Sequence, residues 1–395
     1  MGASMPASMP ASVPAPVPDG AAALASGEAW DAFVERSDPG SYLQLSAWAT
    51  VKAANGWSSL RLASEPGVVT ADPGTVTAEP GDDRPVGAQV LVRRSRPLPW
   101  SFAYAPRGPV AGRWSRDTVA TFTDLARGRL AAMAGRVSHL RVDPEIERFG
   151  PLDPDGALRR AFVAAGWRPA PPIQPGSTRI IDLRADEAAL WGDLRKKWRQ
   201  YVNRARSSGC RVVEAEADRL GEFYAIYRET ASRAGFLIRT EQAYRDVWNA
   251  FRPAGRARLL FAEDADGVPQ ATLFLVRCGP RVVEPYGGMT RQGAESRANY
   301  LLKWEAIRSS REAGATSYDL WGLASPGIAH FKTGFGGREV TYIGAWDLTL
   351  DPLGRAAFEV AQRGRLRVSR WRHGVRGNLQ GGGQAQAAGD EGGGE

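Results

Sequence analysis

Two copies of one unit, a strand, a Gly/Pro-containing loop, a helix and a second strand, predict a mixed α/β protein of two similar halves. In the first half Phe102-Ala-Tyr104 reads as a strand and leads into Pro106-Arg-Gly-Pro109. A helical pattern then runs from about Asp117 to Ala134, and His139-Leu-Arg-Val-Asp143 follows as a strand. In the second half Val282–Tyr286 is the strand and Gly287-Gly288 the turn. Asn299–Ala313 is the helix, with Leu301, Leu302 and Ile307 on compatible faces, and Ser317–Trp321 is the next strand. Both halves also close alike. Ala157–Ala165 is helical, ends at Gly166-Trp167, and Thr178–Leu183 returns as a strand; Ile328–Thr333 is a short helix and Tyr342–Leu348 returns. Each return strand carries Asp-Leu.

This unit is the centre of acyltransferase folds of the N-acetyltransferase type, so the repeat predicts a tandem pair of such domains. The first spans residues 28–178 and is completed by 345–372, whose helix is expected to pack back on it; the second spans 179–344. A length of 395 residues suits two domains. Residues 1–27, rich in Pro, Ala and Ser, and 377–395, rich in Gly, are too poor in apolar side chains to fold. Val69–Gly74 is nearly copied by Val76–Gly81, which makes 64–83 a mobile acidic loop without catalytic duty.

Composition narrows the chemistry. Cys210 and Cys278 cannot build a disulfide framework, and His139, His330 and His373 are not at metal-ligand spacing, so no metal is expected. The formal charge of +8 favours an anionic partner. The N-terminal tract has neither a basic region nor a continuous apolar core, and no run approaches the roughly 18 apolar residues of a membrane span. A cytoplasmic, monomeric protein without a cofactor is the expectation.

Several residues are placed for chemistry. Lys332 lies in Phe331-Lys-Thr-Gly-Phe-Gly-Gly337, among aromatics and glycines, after Tyr318-Asp-Leu-Trp-Gly322; the pattern reads either as a loop shaped around a ligand or as a tight turn. Asp143 ends a strand before Pro144, where α/β folds place functional groups, although an Asp-Pro turn looks the same. Lys52 ends a helix that buries Leu45 and Trp48, a place equally suited to a solvated lysine. Arg239 offers a bidentate phosphate clamp, or else an exposed helix start, five residues before Tyr244. Tyr286 either lines a cleft or is an ordinary strand tyrosine. The helix from Arg195 to Arg206, with Lys196, Lys197, Arg199 and Arg204, interleaves Trp198 and Tyr201 with its charge, as a nucleic-acid surface does. Arg363 to Arg376 reads as a solvated basic tail, with an anionic membrane surface as the alternative.

Four stretches in order, Ser41–Lys52, Tyr104–Pro109, Leu194–Ala205 and Tyr318–Gly337, resemble the Fem family of peptidoglycan aminoacyltransferases, the lipid II:glycine glycyltransferase type. The resemblance implies the same tandem fold. It implies transfer of an amino acid, glycine first, from aminoacyl-tRNA to a stem-peptide amine of a peptidoglycan precursor, lipid II or UDP-MurNAc-pentapeptide. It places Lys52, Asp143, Arg239, Tyr244, Tyr286 and Lys332 in the substrate site, with Lys332 and Asp143 catalytic, and makes the basic helix a tRNA contact. Peripheral contact with the inner membrane face follows from a lipid-linked precursor. Two departures stand out: nothing between Arg206 and Leu259 sustains the heptads of the coiled-coil arm some members carry, and the 64–83 loop is extra. Two alternatives are an acyl-CoA-dependent N-acyltransferase and a non-catalytic tRNA- or membrane-binding module. Against the first, Arg291–Ser296 lacks the glycine spacing of a pyrophosphate loop.

Overall fold

The computed structural model describes residues 26–64, 85–94, 98–133, 136–323 and 325–361. The acidic loop, both tails and the Arg363–Arg376 run therefore lie wholly or almost wholly outside the described residues. The strands are β1 (Ser58–Ala63), β2 (Val86–Arg94), β3 (Ser101–Ala105), β4 (Val110–Ala111), β5 (Val137–Val142), β6 (Trp167–Ala170) and β7 (Ser177–Asp182). They continue with β8 (Arg211–Ala215), β9 (Ala257–Glu263), β10 (Pro269–Cys278), β11 (Arg281–Met289), β12 (Ser317–Asp319), β13 (Arg338–Thr341) and β14 (Ala345–Thr349). One sheet has the order β1-β2-β3-β5-β14-β6, with β4 on β2; the other runs β9-β10-β11-β12-β7-β13, with β8 beyond β9. Position by position the two orders correspond, and each contains one parallel pair, β3 with β5 and β11 with β12.

The return strands are exchanged. The strand at Thr178–Leu183, expected to close the first unit, joins β12 and β13 in the second sheet, while β14 inserts between β5 and β6 in the first. The reason is burial: Ile181 and Leu183 belong to the apolar core of the second half, and Trp346 and Leu348 to that of the first. The short β6, which Pro169 confines to a sheet edge, lies where the sequence shows only the end of a helix.

Eleven helices cover the sheets among the described residues: α1 (Gly27–Arg36), α2 (Ser46–Ala53), α3 (Arg116–Ala131), α4 (Ala157–Ala164), α5 (Glu187–Asp193) and α6 (Lys196–Ser207) come first. Then follow α7 (Leu220–Ala234), α8 (Glu241–Phe251), α9 (Arg291–Glu295), α10 (Ala298–Glu312) and α11 (Pro326–Thr333). Residues 352–361 are also helical, and Phe358 from that turn stacks on Phe102 at 5.0 Å and meets His139 at 4.8 Å in the first half. Burial lowers the His139 pKa to about 3, so this imidazole is a neutral packing group. Between Arg206 and Leu259 the helices have 15 and 11 residues, so no long arm is present there.

Three cores hold the molecule. One lies under α3 and α4, one under α6 and α10, and the third is shared. In the shared core Tyr42, Leu45, Trp48 and Val51 pack with Phe223, Tyr244, Trp248 and Phe251, so apolar burial fuses the halves. That core sets α2 against α8 and so brings Lys52 to Arg239 and Tyr244.

Gly287-Gly288 is not a turn. Both residues lie within β11, and a Cβ would come within 2.5 Å of Leu273 at Gly287 and of Thr230 Oγ1 at Gly288. Gly288 lets α7 lie close on the strand, and Gly287 leaves room for Leu273 of β10.

Candidate active site

The parallel pair β11–β12 opens a wedge. It is zipped only from Arg281–Ser317 to Val283–Asp319, after which β11 continues along β10 to Met289 and β12 ends. Beyond Asp319 the chain keeps to β7, where the Leu320 and Leu323 N–H groups donate to the Arg179 and Ser177 carbonyls at 2.9 and 3.3 Å, while β11 follows β10. Trp321 there has φ +55, a left-handed conformation that a bulky residue adopts only under constraint. The constraints are visible. Asp319 Oδ1 accepts from the Trp321 N–H at 2.7 Å, and the Lys332 ammonium donates to the carbonyls of Trp321 and Gly322, the latter at 2.7 Å.

Lys332 sits in the last turn of α11, two turns after the Ser325 side chain caps the helix start. Two of its three N–H groups are used on the carbonyls, leaving one. Burial lowers its pKa to about 8, opposed by the nearby Glu284. Behind it, Lys303 is ion-paired with Glu284 and 2% exposed; Glu284 also accepts from Tyr318 at 2.9 Å. The glycines after Lys332 shape packing, not a ligand cradle. A Cβ at Gly334 would lie 2.2 Å from the Trp198 indole, and Gly337, at φ +70, would press the Ile180 carbonyl at 2.4 Å.

From Trp321 the other expected residues can be reached in two directions. Toward α8, its ring meets Tyr42 at 5.8 Å, and Tyr42 lies close enough to Tyr286 to bear on its ionisation. Tyr286 packs edge-on against Tyr244 at 5.0 Å, and the Tyr244 hydroxyl accepts from the Arg239 N–H at 3.1 Å. Lys52, over the Trp48 ring at 4.8 Å, completes this arm. Its pKa is lowered to about 8 by burial and by the neighbouring cations Arg239 and Arg93. Three cations with no carboxylate among those causes describe an anion site. Burial also raises the Tyr286 pKa to about 12, so its hydroxyl stays a neutral donor.

In the other direction the Arg107 guanidinium lies over Trp321 at 5.2 Å and over Tyr342 at 4.6 Å. Its Nε is 3.1 Å from Glu145, which also pairs with Arg281; Arg281 in turn pairs with Asp319. This buried chain of charges runs from the end of β5 to the start of the Trp321 turn. Asp143 lies beside it, only 4% exposed, accepting from Tyr104 Oη at 2.8 Å, the Arg107 N–H at 2.6 Å and the Gln174 N–H at 3.4 Å. Burial raises its pKa against the pull of Arg107 and those donors. An acceptor engaged three times is an anchor for the Tyr104–Pro109 loop, a part Asp143 plays beside the catalytic role expected of it.

The basic helix is revised in part. Trp198 is 6% exposed, and its Nε1–H donates to the Phe331 carbonyl at 3.0 Å, so it holds α6 to α11 and is not a stacking platform. Arg199 is spent on the Trp191 and Gly192 carbonyls at 3.3 and 2.7 Å. Lys196, Lys197 and Arg204 are exposed. Among the described residues no group of three His, Cys, Asp or Glu side chains is placed to hold a metal, and no helix is long and apolar enough to cross a membrane.

With this geometry, comparison with known proteins becomes specific. Residues 192–333 match the acetyltransferase (GNAT) domain family, a segment that begins just before α6 and ends after Lys332. The lipid II:glycine glycyltransferase of Staphylococcus saprophyticus is 27% identical over 241 residues, 60% of this chain and 54% of that protein. The Staphylococcus aureus (strain MRSA252) protein of the same name is 26% identical over 290 residues, 72% of this chain and 61% of its own. The crystal structure of FemX superposes with a TM-score of 0.71 at 19% identity, covering 85% of this chain and 98% of that one. The chain is similar in sequence to these glycyltransferases and in fold to FemX. It spans a little over half the length of the two glycyltransferases, and the FemX likeness establishes the tandem fold. Fem-type resemblance in the sequence led to Lys52, Asp143, Arg239, Tyr244, Tyr286 and Lys332, which the structure connects through one junction. Trp321, Tyr42 and Arg107 make that junction and carry no separate sequence signal except their place in the resembling stretches.

Proposed function

We propose that the chain is an aminoacyltransferase that moves an amino acid, glycine first, from aminoacyl-tRNA to a stem-peptide amine of a peptidoglycan precursor. The observation that carries this reading is the Trp321 junction, where the cation-rich arm of Lys52 and Arg239 meets the β11–β12 wedge holding Lys332. Relatedness to glycyltransferases supplies the reaction class.

An anionic diphosphate suits Lys52 and Arg239, which together offer a point charge and a bidentate fork. The stem peptide then extends along Tyr244 and Tyr286 toward Trp321. In the wedge the acceptor amine attacks the ester carbonyl of the charged tRNA, forming the C–N bond. Negative charge develops on the carbonyl oxygen, and the remaining N–H of Lys332 is the nearest positive donor of the set. Collapse breaks the C–O bond, and the ribose oxygen leaves with the proton that the amine gives up. The ester is already activated, so alignment of the two reactants supplies much of the acceleration. No covalent enzyme intermediate is invoked. Asp143 positions the Arg107 loop under Trp321 and takes no proton. The exposed Lys196, Lys197 and Arg204 face of α6 neutralises tRNA phosphates beside α11.

The test is direct: purified protein, single labelled aminoacyl-tRNAs and acyl-CoAs, and a precursor with and without its lipid. Label moving from glycyl-tRNA to the precursor supports the reading, and transfer only from acyl-CoA refutes it. That alternative is disfavoured because Arg291–Glu295 forms the helix α9, in which Gly293 packs against the Gln270 carbonyl where a Cβ would sit 2.1 Å away.

A further inference from the structure

The loop between α7 and α8 presents an apolar side chain to water in a way that packing does not explain. Gly235, at φ +72, ends α7, and the chain then runs Phe236-Leu237-Ile238-Arg239. Leu237 is 91% exposed and Phe236 38%. Both ends of the loop are fastened. The Phe236 ring packs against Tyr227 at 5.8 Å, its N–H donates to the Ala231 carbonyl at 3.1 Å, and the Arg239 N–H is held by Tyr244. A loop tied at both ends while its leucine stands out holds an apolar group away from the molecule's own core. Scattered exposed leucines need no explanation; a fastened one at the mouth of a cation cluster does. Arg239 and Arg93 are exposed, Lys52 is half-buried, and both arginines lie close enough to Lys52 to help lower its pKa.

We propose that the Phe236–Leu237 tip is a membrane-surface contact, in which Leu237 enters the acyl-chain boundary of an anionic bilayer while Arg239 and Arg93 face its headgroups. An apolar tip ringed by cations is the pattern by which peripheral proteins combine burial with electrostatic attraction. The consequence for substrate choice rests on the proposed function: a diphosphate held at Lys52 and Arg239 lies within a few residues of the tip, so the acceptor it serves is one whose lipid remains in the bilayer.

The membrane contact is tested without any precursor. Full-length protein is titrated with phosphatidylcholine vesicles containing or lacking phosphatidylglycerol. Binding to the anionic vesicles is expected, and Leu237→Glu should weaken it about tenfold or more, the loss of one buried leucine. Because Cys210 and Cys278 are buried, an environment-sensitive fluorophore can be placed at Leu237→Cys alone. Its emission should shift blue on anionic vesicles, whereas the same label at the exposed Val163→Cys on α4 should not. Absence of wild-type binding, binding unchanged by Leu237→Glu, or an equal response at both labels overturns the proposal. A separate arm compares transfer to lipid-linked and soluble nucleotide-linked precursors. Leu237→Glu should slow only the first; equal slowing of both overturns the link to a lipid-borne acceptor. If neither precursor accepts an amino acid from the wild type, the functional reading fails while the vesicle result stands.

Discussion

The two halves share a strand order but differ at one pair of strands. In the first, β3 and β5 pair from Ser101 to Ala105, in unbroken register from Phe102 after a bulge, and the loop that follows is pinned by Asp143. In the second, β11 and β12 part after three paired residues, and Lys332 holds the Trp321 and Gly322 carbonyls just beyond the end of β12. A zipped pair buries its backbone groups on each other and leaves no room for a reacting carbonyl. A splayed pair makes that room and must hold its edges by other means, here a lysine on two carbonyls and a carboxylate on an N–H. The same architecture therefore yields a pinned loop in one half and a splayed strand pair in the other.

The largest effect expected from breaking this contrast is at Lys332. Lys332→Met should lower kcat on the order of 10²–10³-fold, the scale for losing one oxyanion donor, with the fold retained. Lys332→Arg should not restore it, because a planar fork does not replace a point charge bonded to two adjacent carbonyls. A rise in KM with kcat unchanged would move Lys332 from the chemistry to substrate binding.

Next in size is pH. Both Lys332 and Lys52 have pKa values lowered to about 8 in the fold against an ordinary value of 10.5. If the ammonium forms are needed, activity falls as pH rises through about 8. Stability should move the other way. Between about 8 and 10.5 the unfolded chain binds protons that the folded one has released, so these two groups make stability rise with pH in that window and contribute no pH dependence below it. Rate profiles and melts over the same buffers check both signs, and Lys332→Met should remove part of each.

In the first half the expected cost falls on stability. Asp143→Asn keeps an acceptor but loses the charge beside Arg107 and forces one donor to go unmatched. About 1–3 kcal/mol of stability should go, read by denaturant titration, with the chemical step within about tenfold of wild type. The smallest effect belongs to the exposed face of α6. Lys196→Ala with Lys197→Ala should reduce the salt slope of tRNA binding by about two and weaken binding evenly across tRNAs, without a change in fold. An unchanged slope would take this face out of the tRNA contact.

The sequence made the repeat legible because each unit carries its own strand–helix–strand periodicity. The strand exchange shows in the domain bounds, which give 179–344 to the second half and 345–372 to the first, but not in the local pattern. Ile181-Asp182-Leu183 and Trp346-Asp347-Leu348 are locally alike, and which sheet each joins is decided by distant partners, Ile180 by Asp319 and Trp346 by Val142. The site was legible as residues and not as geometry. Lys52 and Lys332 stand in stretches that resemble a known family, yet the Trp321 turn depends on a positive φ at a tryptophan, which no local pattern announces. Glycine misled twice, at Gly287-Gly288 and Gly334–Gly337, because close helix packing and ligand approach both require a missing Cβ. Trp198 misled for a related reason: an aromatic between cations stacks on bases or fills a core, and only the neighbouring helix α11 decides which.

One paired measurement bears most directly on the contrast between the halves. Single-turnover transfer of labelled glycine from tRNA to precursor, and melting temperature, are recorded side by side for Lys332→Met and Asp143→Asn. Lys332→Met should lose the rate by at least about a hundredfold while remaining folded at the assay temperature, and Asp143→Asn should lose several degrees while keeping the rate within about tenfold. The opposite assignment, or a folded Lys332→Met protein with a normal single-turnover rate, would contradict the placement of the chemistry in the β11–β12 wedge.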